Sequence, residues 1–188
     1  MFIGGGNSFR LLAELQRLDL VDAVRERVQS GMPYLGSSAG TNMACPSLRT
    51  SNDMPIVEPA SFRALGLVPF QINPHYIDAD PGSRHMGETR QERIAQFLED
   101  NDVPVLGLRE GGWLRVTGGT ATVGGMAGGV LFTRDNPPRE RSRPAPRRPS
   151  RQPRPAPDVT PRQRYGPHMR AIASFRARGA AASSPAGA

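Results

Sequence analysis

Gly36-Ser37-Ser38-Ala39-Gly40 fits the pattern Gly-x-Ser-x-Gly and lies between the short apolar stretch Pro33-Tyr34-Leu35 and the small-residue run Thr41-Asn42-Met43-Ala44. A serine in this pattern sits on a sharp strand-to-helix turn, which needs small neighbours because its backbone is tight and strained. The turn lifts the Ser38 hydroxyl out at the carboxyl end of a sheet. It also aims the Ala39 amide at a developing oxyanion, with a helix N-terminus behind it. A serine nucleophile requires a base, and the chain has 3 histidines. His168 lies in an Arg/Pro-rich tail, and His85 lies in a polar loop beside Arg84, where a solvated role is expected. His75 follows the apolar stretch 68–73 through Pro74 and so should emerge at a strand's carboxyl end. Open α/β sheets bind their ligands at that edge. His75 is therefore the base candidate.

An acid must orient the imidazole and stabilise its cation. Asp53, in Thr50-Ser51-Asn52-Asp53, and Glu110, at the end of the apolar run 103–108, both qualify by type. Spacing does not choose between them, and either would otherwise be an exposed carboxylate. Gly4-Gly5-Gly6-Asn7 resembles a dinucleotide loop only superficially, because Gly-x-Gly-x-x-Gly would need glycine where Phe9 stands. A second oxyanion-binding amide near Gly5 or Gly6 fits better, since glycine lets backbone approach a reacting carbonyl closely. Arg90, in Gly87-Glu88-Thr89-Arg90, is a candidate for gripping a substrate carboxylate, against the plainer role of a solvated first-turn arginine. Cys45 reads as a small buried residue without a base beside it, and Trp113 as a packing residue of a hairpin.

The elements that must hold these residues alternate. Asn7 can cap a helix carrying Phe9, Leu12 and Leu15 at helical spacing, and a second helix follows over 20–28. Strands are expected at 33–37, 68–73, 103–108 and 129–133, a helix at 88–99, and a hairpin around Gly118-Gly119. Helices alternating with strands predict an α/β, doubly wound and mostly parallel sheet with an antiparallel edge. Charge divides the chain of 188 residues: 1–134 carries 12 Arg and 14 Asp+Glu, whereas 135–188 carries 12 Arg and 3 Asp+Glu. The high pI thus belongs to the tail and does not make the folded part a nucleic-acid binder. Residues 135–188, in which 33 of 54 are Arg, Pro or Ala, are expected to be a disordered tail with at most a short helix near 169–178. One cysteine excludes an internal disulfide framework and a multi-cysteine metal cluster. No apolar run approaches the ~20 residues of a membrane span, and no charged segment with an apolar core opens the chain. A cytoplasmic protein without membrane contact is expected.

Five motifs in order now carry a resemblance: Gly4-Gly5-Gly6-Asn7-Ser8-Phe9, Gly36-Ser37-Ser38-Ala39-Gly40, residues 49–56, Ile72-Asn73-Pro74-His75-Tyr76 and Gly87-Glu88-Thr89-Arg90. Residues 1–133 resemble peptidase E, the alpha-aspartyl dipeptidase family of serine peptidases. The resemblance implies a class I glutamine amidotransferase-like fold and a substrate that is a small peptide with N-terminal aspartate, Asp-Xaa. It implies Ser38 as nucleophile, His75 as base, Asp53 or its rival Glu110 as acid, amides near Gly6 and Ala39 as oxyanion hole, and no metal or organic cofactor. Family members carry several strands and helices before the Gly-Gly-Gly-Asn turn. The resemblance therefore implies a catalytic domain, 1–134, that is incomplete at its N-terminus, marginal in stability, prone to aggregate and weakly active or inactive. The Arg/Pro/Ala tail in place of the family's C-terminal part suggests out-of-frame translation of GC-rich DNA. Two alternatives stand beside this reading. One is a cyanophycinase-like hydrolase of aspartyl-arginine material; the other is an inactive fragment whose tail binds nucleic acid or other polyanions non-specifically.

Overall fold

The computed structural model of the protein describes residues 1–82, 84 and 87–141. The expected tail helix, His85 and His168 lie outside them. Within the described part, β1 (Phe2–Ile3) leads into α1 (Ser8–Arg17), α2 (Leu20–Gln29), β2 (Leu35–Gly36) and α3 (Ala39–Met43). A long loop then reaches β3 (Gln71–Tyr76), followed by α4 (Arg90–Asp100), β4 (Val105–Arg109), the hairpin β5 (Gly112–Thr117) and β6 (Thr120–Gly125), β7 (Gly129–Thr133) and β8 (Asn136–Arg141).

The helices start where the sequence supplies caps. Asn7 accepts the Arg10 amide at the head of α1, and Thr89 and Glu92 form a reciprocal capping box at α4. Apolar spacing then decides what each helix buries. Leu12 and Leu15 of α1, with Val21 and Val24 of α2, pack against Met43 of α3 and against Leu48, Ala64 and Leu65 of the long loop. Ile94 and Leu98 of α4 pack with Tyr76, Val105, Val130 and Phe132. A third cluster, Cys45, Val68 and Ile72, lies beside Leu108 and Leu114. The core therefore grips α3 on one side and the strands that follow it on the other.

Strands β1 and β2 pair in parallel, as do β3 and β4; β4, β7 and β8 continue antiparallel in the order β3-β4-β7-β8. The architecture is α/β with mixed sheets. Two differences from the sequence expectation matter. The strand expected over 68–73 begins only at Gln71, whose amide takes the Pro104 carbonyl, and it runs to Tyr76. His75 is consequently inside the strand rather than after it. Pro74 is tolerated because β3 is an edge strand of its sheet.

The second difference moves the end of the fold. Residues 136–141 were expected to open the disordered tail; instead β8 pairs with β7. Arg/Pro composition hid it, because all six residues of β8 are exposed and bury no apolar face. What holds it besides the ladder is Arg109, whose guanidinium donates to both carboxylate oxygens of Asp78 and of Glu140. The two carboxylates raise the Arg109 pKa, and the Arg109 hydrogen bonds hold those of Asp78 and Glu140 below their ordinary 3.8 and 4.5. A lowered folded-state pKa adds stability above the unfolded value and loses it as pH falls through the folded one. The protection factors of the β8 amides, each taken against the intrinsic exchange rate at the same pH, should therefore fall below pH ~4 and in Arg109→Gln at neutral pH, while the β4–β7 ladder stays protected. Equal protection factors in β8 at pH 7 and pH 3 would contradict this.

Candidate active site

Ser38 is the residue on which the chain turns from β2 into α3, at φ 53° and ψ −112°. Few L residues adopt such a conformation, which costs about 1–3 kcal/mol and persists only when its surroundings impose it. Here they do. The Thr41 and Asn42 amides donate to the Ser38 carbonyl at 2.8 and 3.2 Å, and the Gly40 amide donates to the Gly4 carbonyl at 3.1 Å. The Tyr34 hydroxyl donates to the Gly40 carbonyl at 2.6 Å, and burial pushes that phenol's pKa up so that it stays a donor. A Cβ on Gly40 would lie 2.0 Å from the Ile3 carbonyl oxygen, and one on Gly36 2.5 Å from that of Gly40. Gly40 is what allows β1 and the elbow to touch, and Gly36 is what allows the elbow to fold tightly on itself.

His75 reaches the elbow through a second irregularity. The β3–β4 register shifts between Pro74 and Tyr76, so His75 falls out of the ladder at φ 55°. A bulge of this kind re-aims one side chain. In a strand otherwise buried, His75 alone is exposed, and its Nε2 lies 2.8 Å from Ser38 Oγ. Its Nδ1 meets Oε1 of Glu110, which stands in the turn between β4 and β5 just before Gly111. Ser38, His75 and Glu110 thus form a hydroxyl–imidazole–carboxylate line drawn from the carboxyl ends of β2, β3 and β4.

Asp53 does not join that line. Its Oδ2 accepts the Ser8 amide at 2.7 Å and the Ser8 hydroxyl, beneath the Gly4-Gly5-Gly6-Asn7 turn. Of the two acids the sequence left open, Glu110 is the one on the imidazole. The glycine turn itself is where it was expected. A Cβ on Gly5 would lie 3.3 Å from Ser38 Cβ and 3.7 Å from its Oγ. Gly6 takes φ 136°, and neither its amide nor that of Ala39 has an acceptor among the described residues.

A cleft of about 720 Å³ includes Ser38, His75 and Glu110 in its lining, with Tyr34, Leu35 and Trp113. Arg90 is the first residue of α4, half-buried, and is not among the residues lining this cleft; burial and the nearby Arg93 lower its pKa. Trp113 packs over Gly124 in the hairpin, as expected. Cys45 is buried, accepts the Ile72 amide, and has its thiol pushed up to about 12 by desolvation, so it stays protonated. Among the described residues no cluster of His, Cys, Asp or Glu is placed to hold a metal ion, and no helix is long and apolar enough to cross a membrane. Ser8 and Asn42 were missed by sequence reasoning. Their signal, a polar residue on the apolar face of a short helix, is weak without knowing what lies opposite.

A Gly-x-Ser-x-Gly elbow between strand and helix is a turn that α/β hydrolases use to expose a serine hydroxyl. Comparison gives that class a family. Residues 1–124 match Peptidase family S51, and the chain belongs to it. It is 66% identical over 140 residues to Peptidase E of Streptomyces coelicolor, covering 74% of this chain and 58% of that one. It is 54% identical over 136 residues to the "Probable alpha-aspartyl dipeptidase" of Drosophila melanogaster, covering 72% and 57%. A crystal structure assigned to Peptidase E from Listeria monocytogenes shares the fold, with a TM-score of 0.52 and 24% identity over 66% of this chain and 58% of that one. The chain therefore spans less than two thirds of the length of these relatives.

The contact between Gly40 and β1 yields a test of the elbow. Gly40→Ala should lower the urea midpoint markedly, because backbone rather than a flexible side chain blocks the methyl. Gly119→Ala, with nothing within 4 Å of its Cβ, should leave the midpoint within experimental scatter. Equal midpoints for both variants would show that the close approach of Ile3 to the elbow is not rigid.

Proposed function

We propose that the chain carries the active site of a serine-type dipeptidase that hydrolyses Asp-Xaa dipeptides. The observation that carries this reading is the Ser38 Oγ to His75 Nε2 distance of 2.8 Å, with Glu110 on the other ring nitrogen. The aspartyl preference is supported by the name of the Drosophila relative.

In this reading Glu110 accepts from Nδ1–H of His75 and so leaves the Nε2 lone pair facing Ser38. Ser38 Oγ attacks the carbonyl carbon of the N-terminal aspartyl residue while Nε2 takes the hydroxyl proton. The carbonyl oxygen becomes an oxyanion and is held by the amides near Gly6 and Ala39. Collapse breaks the C–N bond, and His75 returns the proton to the leaving amine. Water, deprotonated by His75, then attacks the aspartyl-Ser38 ester; the tetrahedral intermediate collapses, releases aspartate and returns the proton to Ser38. Glu110 keeps its charge throughout and offsets that of the imidazolium.

Ser38→Ala and His75→Ala should each lower kcat/KM for Asp-Leu by roughly 10⁴-fold or more, with unchanged circular dichroism. Glu110→Gln should lower kcat with little change in KM, because the carboxylate supports the charged imidazole formed only as the hydroxyl reacts. Leu-Asp and Asn-Leu should be poor substrates, since a site built for a carboxylate leaves its donors unpaired without one. Comparable rates on all three dipeptides would reject the aspartyl reading, and wild-type turnover in Ser38→Ala would reject the nucleophile.

A further inference from the structure

We propose that Asp53 is a positioning residue for the oxyanion-binding turn, acting through Ser8 and not through the imidazole. The inference rests on the hydrolase reading above and assigns the acid which that mechanism does not use. Three consecutive glycines, Gly4-Gly5-Gly6, have no side chains with which to fix their own conformation, and glycine has more backbone freedom to lose than any other residue. The turn must therefore be held from its ends. At one end the Gly40 amide donates to the Gly4 carbonyl at 3.1 Å, which ties the turn to the nucleophile elbow. At the other end stands Ser8, completely buried at the head of α1.

Both donors of Ser8 are taken by one carboxylate oxygen. Asp53 Oδ2 accepts the Ser8 amide at 2.7 Å and the Ser8 hydroxyl. Ser51 closes the ring: its hydroxyl donates to Ser8 Oγ at 3.2 Å and accepts the Asp53 amide at 3.1 Å. One residue earlier, Asn7 Nδ2 donates to the Met54 carbonyl at 2.8 Å. The same loop reaches the base: Asn52 Nδ2 donates to the Pro74 carbonyl at 2.7 Å and Asn73 Nδ2 to the Thr50 carbonyl at 2.9 Å. Residues 50–54 therefore clasp the glycine turn and the His75 bulge to one strip of backbone, with Asp53 assigned to the turn. A charge-assisted acceptor suits the place, because two buried donors meet it at once. Without it the Ser8 amide is unsatisfied and the Ser8 hydroxyl is left with Asn42 Oδ1 at 3.4 Å, Gly5 and Gly6 lose their second anchor, and an amide that moves by ~1 Å can lose about 10²-fold in rate.

The test compares Asp53→Ala, Asp53→Asn, Ser8→Ala, Ser8→Ala/Asp53→Ala and Glu110→Gln on Asp-Leu. Asp53→Ala is expected to lower kcat ~10²-fold, the scale of a lost oxyanion donor, with KM little changed. Asp53→Asn keeps an acceptor for the Ser8 amide, so it should fold and recover most of that loss. Ser8→Ala should cost less than Asp53→Ala, and the double variant no more than Asp53→Ala, since both act through one contact. The acidic limb of the kcat/KM profile should stay in place in all four and shift only in Glu110→Gln. A second readout does not need turnover: in NMR spectra, Asp53→Asn should shift the Gly5, Gly6 and Ser8 amides and leave the His75 ring nitrogens unmoved, with Glu110→Gln doing the reverse. Losses that multiply in the double variant, or ring nitrogens displaced by Asp53→Asn as by Glu110→Gln, would overturn the proposal. Retained turnover in Ser38→Ala would instead remove the hydrolase reading, and the NMR comparison would still decide the role of Asp53.

Discussion

The Gly40 amide bonds the Gly4 carbonyl at 3.1 Å, and the Gly40 Cα faces Ile3 with no room for a methyl group. Everything at the site depends on this contact. It brings the glycine turn after β1 up against Ser38, so that the Ser38 hydroxyl and the amides near Gly6 and Ala39 share one short stretch of surface. It also explains the residue types in chemical terms. A larger residue at 40 would push the elbow off β1, one at 36 would press on the backbone of Gly40 and Thr41, and a residue with a side chain at 5 would press on Ser38 itself.

Strain of this kind needs support, and the chain supplies it with polar side chains rather than apolar volume. Ser38 and His75 both hold positive φ, each at the point where its strand gives up regular pairing. Around them Asn42 donates to the Ile72 carbonyl, Thr50 donates to the same oxygen, and Asn52 and Asn73 bond across the loop. Asn42, Thr50 and Asn73 are buried, Asn52 is half-buried, and among their side-chain atoms only Asn73 Oδ1 is buried without a partner among the described residues, which is close to the condition under which a polar network rigidifies a structure. Below them the apolar cluster of α1, α2 and Met43 fixes where the nucleophile helix sits. Directional bonds set the angles at the site, while burial sets its place in the fold.

Much of this was legible in the residues. Asn7 and Thr89 announce two helix starts, the apolar runs announce β4 and β7, and the glycine spacing announces the elbow, because each depends on local chemistry. What was not legible depends on contacts far apart in the chain. The choice between Asp53 and Glu110 required knowing that the turn after β4 comes back beside β3. The position of β3 was misplaced because Val68-Pro69-Phe70 has strand-like composition, yet its first ladder partner is Val105, which sits opposite Gln71. Strand β8 was invisible since its order comes from Arg109 and from the edge of β7, not from apolar periodicity. Resemblance to a family pointed to Ser38 and His75 in advance and left Asp53 and Glu110 as rivals; the contacts put Glu110 beside the imidazole and Asp53 beside Ser8.

The most direct measurement of the central claim is covalent labelling by a small phosphonofluoridate, read by intact mass and peptide mapping. Such a reagent modifies a serine hydroxyl only where a base takes its proton and amides hold the phosphoryl oxygen. The geometry predicts one adduct per chain, on the peptide containing Ser38, lost in His75→Ala and slowed in Glu110→Gln. An unmodified Ser38 in the folded wild-type chain, or equal labelling in His75→Ala, would contradict the account.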